Sequence, residues 1–247
     1  MSEGITISLA PDTLWTAFGI PITNTLIMSM VVFLFLVVFT MVMNRSMAMV
    51  PGRKQVTLEI LFTGAIDYMT DVLESEKLAH KLFPLIITIF LFIFTANMIA
   101  FIPGVGSLGV YNESGEFTGL LRSMNTDANV TFALATISFL VIEILGITTI
   151  GFLKYSGKFV NLSSVLGFFT GVIELFSEIA RLISFSFRLF GNIFAGWVLL
   201  LVIKHFVPLV LPVPMLAFEV FIGFIQAAIF ALLTLFFIKV AITEPQH

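Results

Sequence analysis

The chain has 247 residues, of which 59% are hydrophobic and 11% charged, and its net charge is −3. Soluble domains carry about twice that share of charged residues, so the composition predicts a protein embedded in a membrane. The absence of cysteine excludes disulfides, thiolate metal sites and cysteine nucleophiles. No basic cluster exceeds the pair Arg53-Lys54, which argues against a nucleic-acid partner.

The first charge-free stretch predicts a membrane span. No charged residue occurs between Asp12 and Arg45, and a spanning helix over about 23–43 fits there. The first twenty residues lack a basic segment, so we expect no signal or transit peptide and a first span that is retained. Residues 53–80 then alternate apolar and acidic positions, which predicts an amphipathic helix along a membrane surface. A polar loop with some helix is the alternative for this segment.

The middle of the chain predicts two further spans separated by a loop. The second span fits about 83–102 and ends at Pro103-Gly104. Residues 104–127 are rich in Gly, Ser and Asn and contain four charged residues, which predicts an exposed loop. The third span fits about 128–153 and contains Glu143, and a short polar turn follows from Lys154 to Lys158.

The last two predicted spans are longer than a bilayer requires. The fourth runs over about 162–206 and the fifth over about 215–241, whereas roughly 20 residues cross the hydrocarbon core. The fourth helix is therefore expected to tilt strongly, to bend at Gly191 or Gly196, or to lie partly flat. Pro208, Pro212 and Pro214 mark the turn between the two helices.

Basic residues near the span ends predict the orientation of the chain in the membrane. With the N-terminus outside, eight of them fall at inner ends and two at outer ends. The inner ones are Arg45, Arg53, Lys54, Lys77, Lys81, Lys154, Lys158 and Lys239, and the outer ones are Arg122 and Lys204. We therefore expect one all-α polytopic membrane domain over 1–247, with five spans, an outer N-terminus and an inner C-terminus.

A polar stripe lies within the fourth predicted span, where the surrounding residues are apolar. Its members recur every three or four residues, apart from one adjacent pair, and fall within an arc of about 120° on a helix. They are Glu174, Ser177, Glu178, Arg181, Ser184, Arg188 and Asn192. Each charged group at membrane depth costs roughly 2.5–3.5 kcal/mol on insertion scales. Four such groups on one face indicate a function, and the transfer of charge across the membrane is the natural one.

Arg188 is the sharpest candidate in this stripe. A guanidinium group stays protonated, so it acts as a fixed positive charge that repels cations and stabilises a passing carboxylate in its ionised form. The alternative is a static salt bridge, although no acid lies three or four residues from Arg188. The candidate partners for such a bridge are Glu143, Glu174, Glu178 and Glu219. Glu178 precedes Arg181 by three residues, which predicts that Arg181 is a local partner of Glu178 or an anchor at the helix end near the inner surface.

The fifth span carries Glu219 and Gln226, seven residues apart on one helix face. An acid and an amide in line can hold a file of water or pass a proton; a buried, protonated Glu219 bonded to a neighbouring helix is the alternative. Asn192 can join this patch or simply bond between helices. Ser177 and Ser184 can line an aqueous path or bond to their own backbone.

The segment 184–196 reads Ser-Phe-Ser-Phe-Arg-Leu-Phe-Gly-Asn-Ile-Phe-Ala-Gly and resembles the signature of subunit a of the F-type ATP synthase. The resemblance extends over most of the chain. The segments that also resemble the family are Pro21–Thr25, Asn97–Gly104 and Asp127–Thr131, together with Gln226 near the end of the chain.

This resemblance implies the proton-translocating stator subunit of a rotary motor, with long, tilted last helices and no catalytic site, cofactor or metal of its own. By resemblance, Arg188 is the essential arginine that faces the ring of subunit c and separates two offset half-channels. The outer half-channel positions are matched by Asn192, Glu219 and Gln226, and the inner ones by Glu174, Ser177 and Ser184. Further candidates for proton translocation are Glu143, Glu178 and Arg181.

The implied partners are the c-ring, subunit b of the peripheral stalk, the F1 ATPase head and the lipid bilayer. The implied location is a bacterial inner membrane, with the mitochondrial inner membrane as the alternative. The chain departs from the family at two positions. Many members carry Glu or His where this chain has Trp197, and many carry His where it has Glu219. The acid thus sits on the other helix of the pair.

Two other classes of function compete with this interpretation. An ion-coupled secondary transporter would have broken helices in matched halves, and no internal repeat is visible in the sequence. A structural anchor would pair its intramembrane charges with one another, and the spacing around Arg188 argues against that. The choice between H⁺ and Na⁺ stays open, because the ring carboxylate that binds the ion lies in another chain.

Overall fold

The computed structural model describes residues 10–17, 19–102, 108–111, 117–159, 165–208 and 210–243. In chain order, the elements are β1 (Thr13–Ala17), β2 (Ile20–Thr23), α1 (Asn24–Ser46), α2 (Arg53–Leu73), α3 (Glu76–Ala100), β3 (Gly109–Tyr111), β4 (Phe117–Gly119), a 3-10 turn (Met124–Thr126), α4 (Ala128–Ile150), α5 (Phe152–Ser156), α6 (Val165–Phe206) and α7 (Pro212–Ile242).

Five of these helices are long and apolar enough to cross a membrane, namely α1, α3, α4, α6 and α7. The prediction of an all-α polytopic membrane protein is therefore confirmed. The strands, which the sequence did not predict, form two short antiparallel hairpins, β1 with β2 and β3 with β4. These hairpins lie before the first span and between the second and third, so they leave the helical bundle intact.

Helix α1 lies at the edge of the bundle. It begins at Asn24 because Thr23 caps it, the Thr23 hydroxyl accepting the Leu26 N–H at 3.2 Å. Its 23 residues extend about 35 Å, which exceeds the roughly 30 Å hydrocarbon core. Its buried residues all fall near its start and are Asn24, Thr25, Met28 and Val32. The rest of α1 is largely exposed and apolar, as expected of a surface that faces lipid or another subunit.

The amphipathic helix predicted over 53–80 ends earlier than residue 80, so the predicted end is wrong. Helix α2 ends at Leu73, Glu74 adopts a left-handed conformation with φ of 54°, and α3 begins at Glu76. The Ser75 hydroxyl caps α3 by accepting the Leu78 N–H at 3.4 Å. The charged residues of 76–81, which indicated a surface helix, instead form the first turns of the second span, and this span therefore begins before the predicted residue 83.

The predicted exposed loop over 104–127 is wrong for its last part, because residues 122–127 are buried. The cause is hydrogen bonding to neighbouring helix starts. Asp127 caps α4 by accepting the Asn129 N–H at 2.9 Å, and its second oxygen accepts the Thr25 hydroxyl at 2.9 Å. Residues 103–107 and 112–116, which include the predicted helix end at Pro103-Gly104, lie outside the described residues.

The later boundaries follow from glycine and proline. Helix α4 ends at Ile150, before the predicted 153, because Gly151 adopts φ of 93°, a conformation that favours glycine. The short α5 then covers most of the predicted polar turn. Helix α6 is unbroken over 42 residues, about 63 Å, and residues 160–164, where the fourth span was predicted to begin, lie outside the described residues. Helix α7 starts at Pro212 rather than 215, since proline fits the first helical turn.

Helix α7 is the central element, because it packs against α3, α4, α6 and α2. The buried core follows its length and includes Ala227, Phe230, Ala231, Leu235 and Ile238. Helix α6 contributes Phe185 and Leu189 to the same core. Lys239 donates a hydrogen bond to the Leu73 carbonyl at 3.2 Å. The end of α7 and the α2–α3 junction therefore lie at one end of the bundle.

Candidate functional site

The predicted polar stripe of α6 divides into exposed and buried members. Ser177, Ser184 and Asn192 are exposed, Arg188 is half-buried and Glu178 is buried. The exposed members share their face with small residues, Ala180 and Ala195. The uncovered side of α6 thus carries polar and small residues, with the exposed Ile173 and Phe187 beside them, while the opposite side packs into the core.

Arg188 lies on this uncovered side without a carboxylate partner among the described residues. Its guanidinium Nη2 donates to the Ser184 hydroxyl, one turn earlier, at 3.2 Å. The ion pairs found in the described part of the chain involve other residues, so the alternative of a static salt bridge from Arg188 is not realised. Arg188 is therefore a fixed cation available to a group from outside the chain.

Asn192 and Gln226 join α6 to α7. The Asn192 amide donates to the Gln226 carbonyl oxygen at 2.5 Å, and Gln226 is buried. The Gln226 amide nitrogen is itself buried and has no hydrogen-bond partner among the described residues. Buried polar groups of this kind are usually bonded, often to water. Sequence reasoning named both residues, and the structure brings them together.

Glu219 occupies a space left by Gly196. A Cβ atom on Gly196 would collide with the Glu219 carboxylate, so glycine at this position is what admits the acid between α6 and α7. Glu219 is 2% exposed, and its Oε2 has no partner within the described part of the chain. Trp197, the next residue on α6, packs instead under Arg122, whose guanidinium carbon lies 4.7 Å from the ring centre.

Two asparagines that sequence reasoning did not assign extend this polar cluster. Asn97 of α3 donates to the Gly223 carbonyl at 2.9 Å, one turn after Glu219. Asn125 in the 3-10 turn donates to the Asn97 carbonyl oxygen at 2.7 Å. Both are 0% exposed. A buried amide within an apolar span was the available signal, because such groups need partners.

We call these residues, Asn97, Asn125, Asn192, Glu219 and Gln226, the outer cluster. Arg122 lies beside it and is buried, although it was predicted in an exposed loop. It donates to the Ala10 carbonyl at 2.9 Å and to the Thr126 hydroxyl at 3.1 Å. Burial lowers the pKa of Arg122, and the nearby Asp12 and Asp127 carboxylates oppose that effect.

A second polar cluster lies near the start of α6. Lys158 binds Glu174 at 2.7 Å and Glu178 at 2.8 Å, and Arg181 binds the other oxygen of Glu178 at 2.6 Å. The predicted local pair of Glu178 and Arg181 is therefore confirmed. Burial lowers the pKa of Lys158, whereas its hydrogen bonds to Glu174 and Glu178 raise that pKa. The hydrogen bonds outweigh the burial, so the pKa is raised overall. Ser177 bonds only to its own helix, at the Ile173 carbonyl.

Glu143 joins this second cluster from α4. Its Oε2 accepts a hydrogen bond from the Tyr155 hydroxyl at 3.0 Å. Sequence reasoning gave Glu143 no partner, because Tyr155 lies on a separate short helix beyond the break at Gly151. We call the set of Glu143, Tyr155, Lys158, Glu174, Glu178 and Arg181 the inner cluster.

A mainly apolar layer separates the two clusters. Glu178 and Asn192 are about 21 Å apart along α6, and the buried side chains of α6 between them are Phe185, Ser186 and Leu189. The Ser186 hydroxyl forms a hydrogen bond with the Thr131 hydroxyl of α4 at 3.3 Å. The Phe185 ring packs against Phe230 of α7 at a centroid distance of 4.9 Å and against Phe237 at 5.5 Å. These rings fill the space between α6 and α7 midway between the clusters, while Arg188 and Ser184 lie in the same interval of α6 on its uncovered side.

The described residues contain no group of three or more His, Cys, Asp or Glu side chains placed to hold a metal ion. The site is thus a pair of hydrogen-bonded polar clusters with a lone cation between them.

The family model described as ATP synthase A chain matches residues 25–239. A relative from Campylobacter fetus subsp. fetus, named ATP synthase subunit a, is 33% identical over 204 residues, which cover 83% of each chain. One of the same name from Campylobacter jejuni subsp. jejuni (strain 81-176) is 34% identical over 212 residues, covering 85% of this chain and 87% of the relative.

A third relative comes from Propionigenium modestum and is named ATP synthase subunit a, sodium ion specific. It is 31% identical over 242 residues, which cover 93% of this chain and 78% of the relative. These matches confirm the family that the segment 184–196 predicted.

Proposed function

The chain belongs to the ATP synthase subunit a family, and we propose that it is the ion-translocating stator subunit of a rotary F-type ATP synthase. In this role it conducts protons to and from the carboxylates of a c-ring and so couples proton flow to ATP synthesis in another part of the complex. The observation that carries the proposal is the pair of polar clusters separated by an apolar layer, with Arg188 unpaired beside that layer.

Arg188 is the group that couples the two paths. A ring carboxylate that arrives opposite a fixed guanidinium is stabilised in its ionised form and gives up its proton. The same positive charge repels a proton that would pass directly from one path to the other. The absence of an ion pair at Arg188 among the described residues supports this role, because a guanidinium already neutralised by its own chain would do neither.

The outer cluster provides the outer half-channel. Glu219, Gln226 and Asn192 carry the proton toward the ring face, helped by water at the buried atoms that lack partners in the described structure. Because Asn192 is exposed on α6 and Gln226 is buried on α7, their hydrogen bond leads from the interior of the bundle to the uncovered side.

Glu174, Ser177 and Ser184 provide the inner half-channel. Glu174 reaches water near the start of α6, since its side chain is 31% exposed. Ser177 and Ser184 continue along the uncovered face toward Arg188. The hydrogen bond between Ser184 and Arg188 supports a path that ends beside the arginine.

The uncovered face of α6 is the surface that meets the ring. Small side chains let another helix approach closely, and Ala180, Ser184 and Ala195 supply them here. Subunit b and the F1 head complete the complex. The chain acts as one membrane domain in a bacterial inner membrane, with its N-terminus outside, as the distribution of basic residues predicts.

Cysteine crosslinking tests this assignment directly, because the natural chain contains no cysteine. Single variants Ala180→Cys and Ala195→Cys, in the assembled complex, are expected to crosslink to a cysteine near the carboxylate of subunit c. The matched control is Val38→Cys on the exposed side of α1, which should not crosslink. Absence of ring crosslinks from α6, or equal yields from Val38→Cys, would reject the proposed ring surface.

The coupling ion is tested in the same complex. Reconstituted vesicles are expected to acidify during ATP hydrolysis without added Na⁺. A requirement for Na⁺, as the name of the Propionigenium modestum relative describes for that protein, would replace the proton in this proposal by sodium while leaving the roles of the two clusters in place.

A further inference from the structure

A groove opens at the end of the bundle that holds the inner cluster. It has a volume of about 330 Å³ and is lined by Tyr155 and Lys158 on one side and by Lys239 and Thr243 at the end of α7 on the other. That volume has room for several water molecules. Tyr155 and Lys158 thus belong both to the inner cluster and to the lining of this groove.

The Tyr155 ring packs into the space that Gly146 leaves on the surface of α4. A Cβ atom on Gly146 would come 2.5 Å from the Tyr155 ring and 3.1 Å from the Ala241 carbonyl, so only glycine leaves room for the ring. Tyr155 is 4% exposed, and its hydroxyl donates to Glu143. Burial and the nearby Glu143 raise the pKa of Tyr155. It therefore remains a hydrogen-bond donor at neutral pH rather than a proton carrier.

Glu143 differs from the other acids of the inner cluster. Both oxygens of Glu178 are occupied, one by Lys158 and one by Arg181. Oxygen Oε1 of Glu143 is buried and lacks a hydrogen-bond partner among the described residues. The charged groups that face Glu143 are Glu178 and Arg181 of α6 and Lys158 beyond α5, and Lys239 of α7 lines the adjoining groove. Glu143 therefore has a buried carboxylate oxygen that can accept a proton.

We propose that Glu143 is a proton-exchanging residue of the inner path, supplied through this groove, and that Tyr155 is its positioning residue. The inference rests on the proposed function of the chain. A hydronium ion on one side gives its proton to Oε1, forming one O–H bond as another breaks. The neutral carboxyl group then releases a proton to water on the other side, and the carboxylate is restored. In the synthesis direction, the proton arrives from the ring side and leaves through the groove.

The first test measures passive proton flux through the membrane sector in vesicles stripped of the F1 head. Glu143→Gln is expected to reduce the flux at least tenfold, and Glu143→Asp is expected to restore part of it. The matched control is Glu76→Gln, an exposed acid at the start of α3, which should leave the flux unchanged. Wild-type flux from Glu143→Gln across the pH range would overturn the proposal.

Tyr155→Phe separates positioning from conduction. The flux at its optimum should remain within a few-fold of wild type. Its pH midpoint is expected to move upward, because the carboxylate loses a hydrogen bond that favours its charged form. An unchanged pH profile would remove Tyr155 from the proposal.

A measurement that does not alter Glu143 covers the case in which Glu143→Gln fails to assemble. Thr243→Cys places a thiol in the groove, and a membrane-impermeant thiol reagent added from the inner side is expected to block the flux. Leu153→Cys, which is exposed outside the groove lining, is the control and should label without blocking. Labelled Thr243→Cys that still conducts normally would exclude the groove as the route.

Failure of this inference is distinguishable from failure of the proposed function. If Arg188→Ala abolishes coupled pumping while Glu143→Gln has no effect, the stator role stands and only the inner route is rejected. If Arg188→Ala retains coupled pumping, the proposed function itself is rejected.

Discussion

At the residue scale, two glycines make room for the polar groups of the site. Gly196 on α6 admits the Glu219 carboxylate, and Gly146 on α4 admits the Tyr155 ring. Each glycine therefore determines where an acid lies. The Glu219 carboxylate fills the space beside Gly196, and the Tyr155 ring beside Gly146 carries the hydroxyl that binds Glu143. A small residue on a membrane helix is usually explained by helix packing. Here the space accommodates a functional side chain.

Gly196→Ala is expected to destabilise the protein by about 1–3 kcal/mol, because the Glu219 side chain must leave its place or α6 must shift. The measurement is thermal or denaturant unfolding of the purified complex in detergent, with subunit a followed separately. Gly64→Ala on α2 is the control, since its Cβ would meet nothing within 4 Å. Equal stability of the two variants would show that Glu219 does not need the Gly196 space.

Sequence reasoning singled out residues whose chemistry is unusual for their surroundings. Arg188, Glu219 and Gln226 stand out because polar groups are costly within apolar helices. Tyr155 does not stand out, because its role depends on contact with Glu143 across a helix break. The burial of Arg122 was likewise hidden, since a Gly- and Ser-rich neighbourhood is also typical of exposed loops.

At the element scale, helix starts are determined by capping side chains. Thr23, Ser75 and Asp127 cap α1, α3 and α4 respectively. The start of α4 was predicted at residue 128, where the apolar run and the capping residue coincide. The start of α3 was predicted too late, because charged residues after Ser75 hid the helix behind a surface pattern.

Asp127 both caps α4 and binds Thr25, so it fixes the 3-10 turn against two helix starts. Asp127→Ala is expected to cost roughly 1–3 kcal/mol, from the lost cap and the lost buried hydrogen bond. Asp127→Asn keeps an acceptor for the cap and should recover most of this loss. Unfolding of the complex in detergent measures both, with the exposed Asp67→Ala as control. Asp127→Ala matching Asp67→Ala would contradict the capping role.

The length of α6 allows one helix to contribute residues to both polar clusters. Its 42 residues allow the inner cluster to bind its first half and the outer cluster its second half, with Arg188 between. Sequence length predicted an over-long helix, but it did not predict the partners of each half. Those partners come from α4, α7 and the segment around Lys158, which are distant in sequence and meet only in the folded bundle.

At the scale of the whole molecule, the bundle holds two polar clusters with a mainly apolar layer between them, which we propose are the two half-channels. Phe185, Leu189 and Phe230 pack together between the clusters. Under the proposed function, this packing closes the direct route, so that a proton crosses only by way of the ring and its flow is coupled to rotation. The central claim is that Arg188 enforces it.

The most direct test compares ATP-driven proton pumping and passive proton leak in vesicles that contain the whole complex. Arg188→Ala is predicted to abolish pumping while leak through the membrane sector stays unchanged or increases, because the paths remain but nothing separates them. Arg53→Ala, an exposed arginine at the start of α2, should pump normally. Coupled pumping retained by Arg188→Ala would contradict the account.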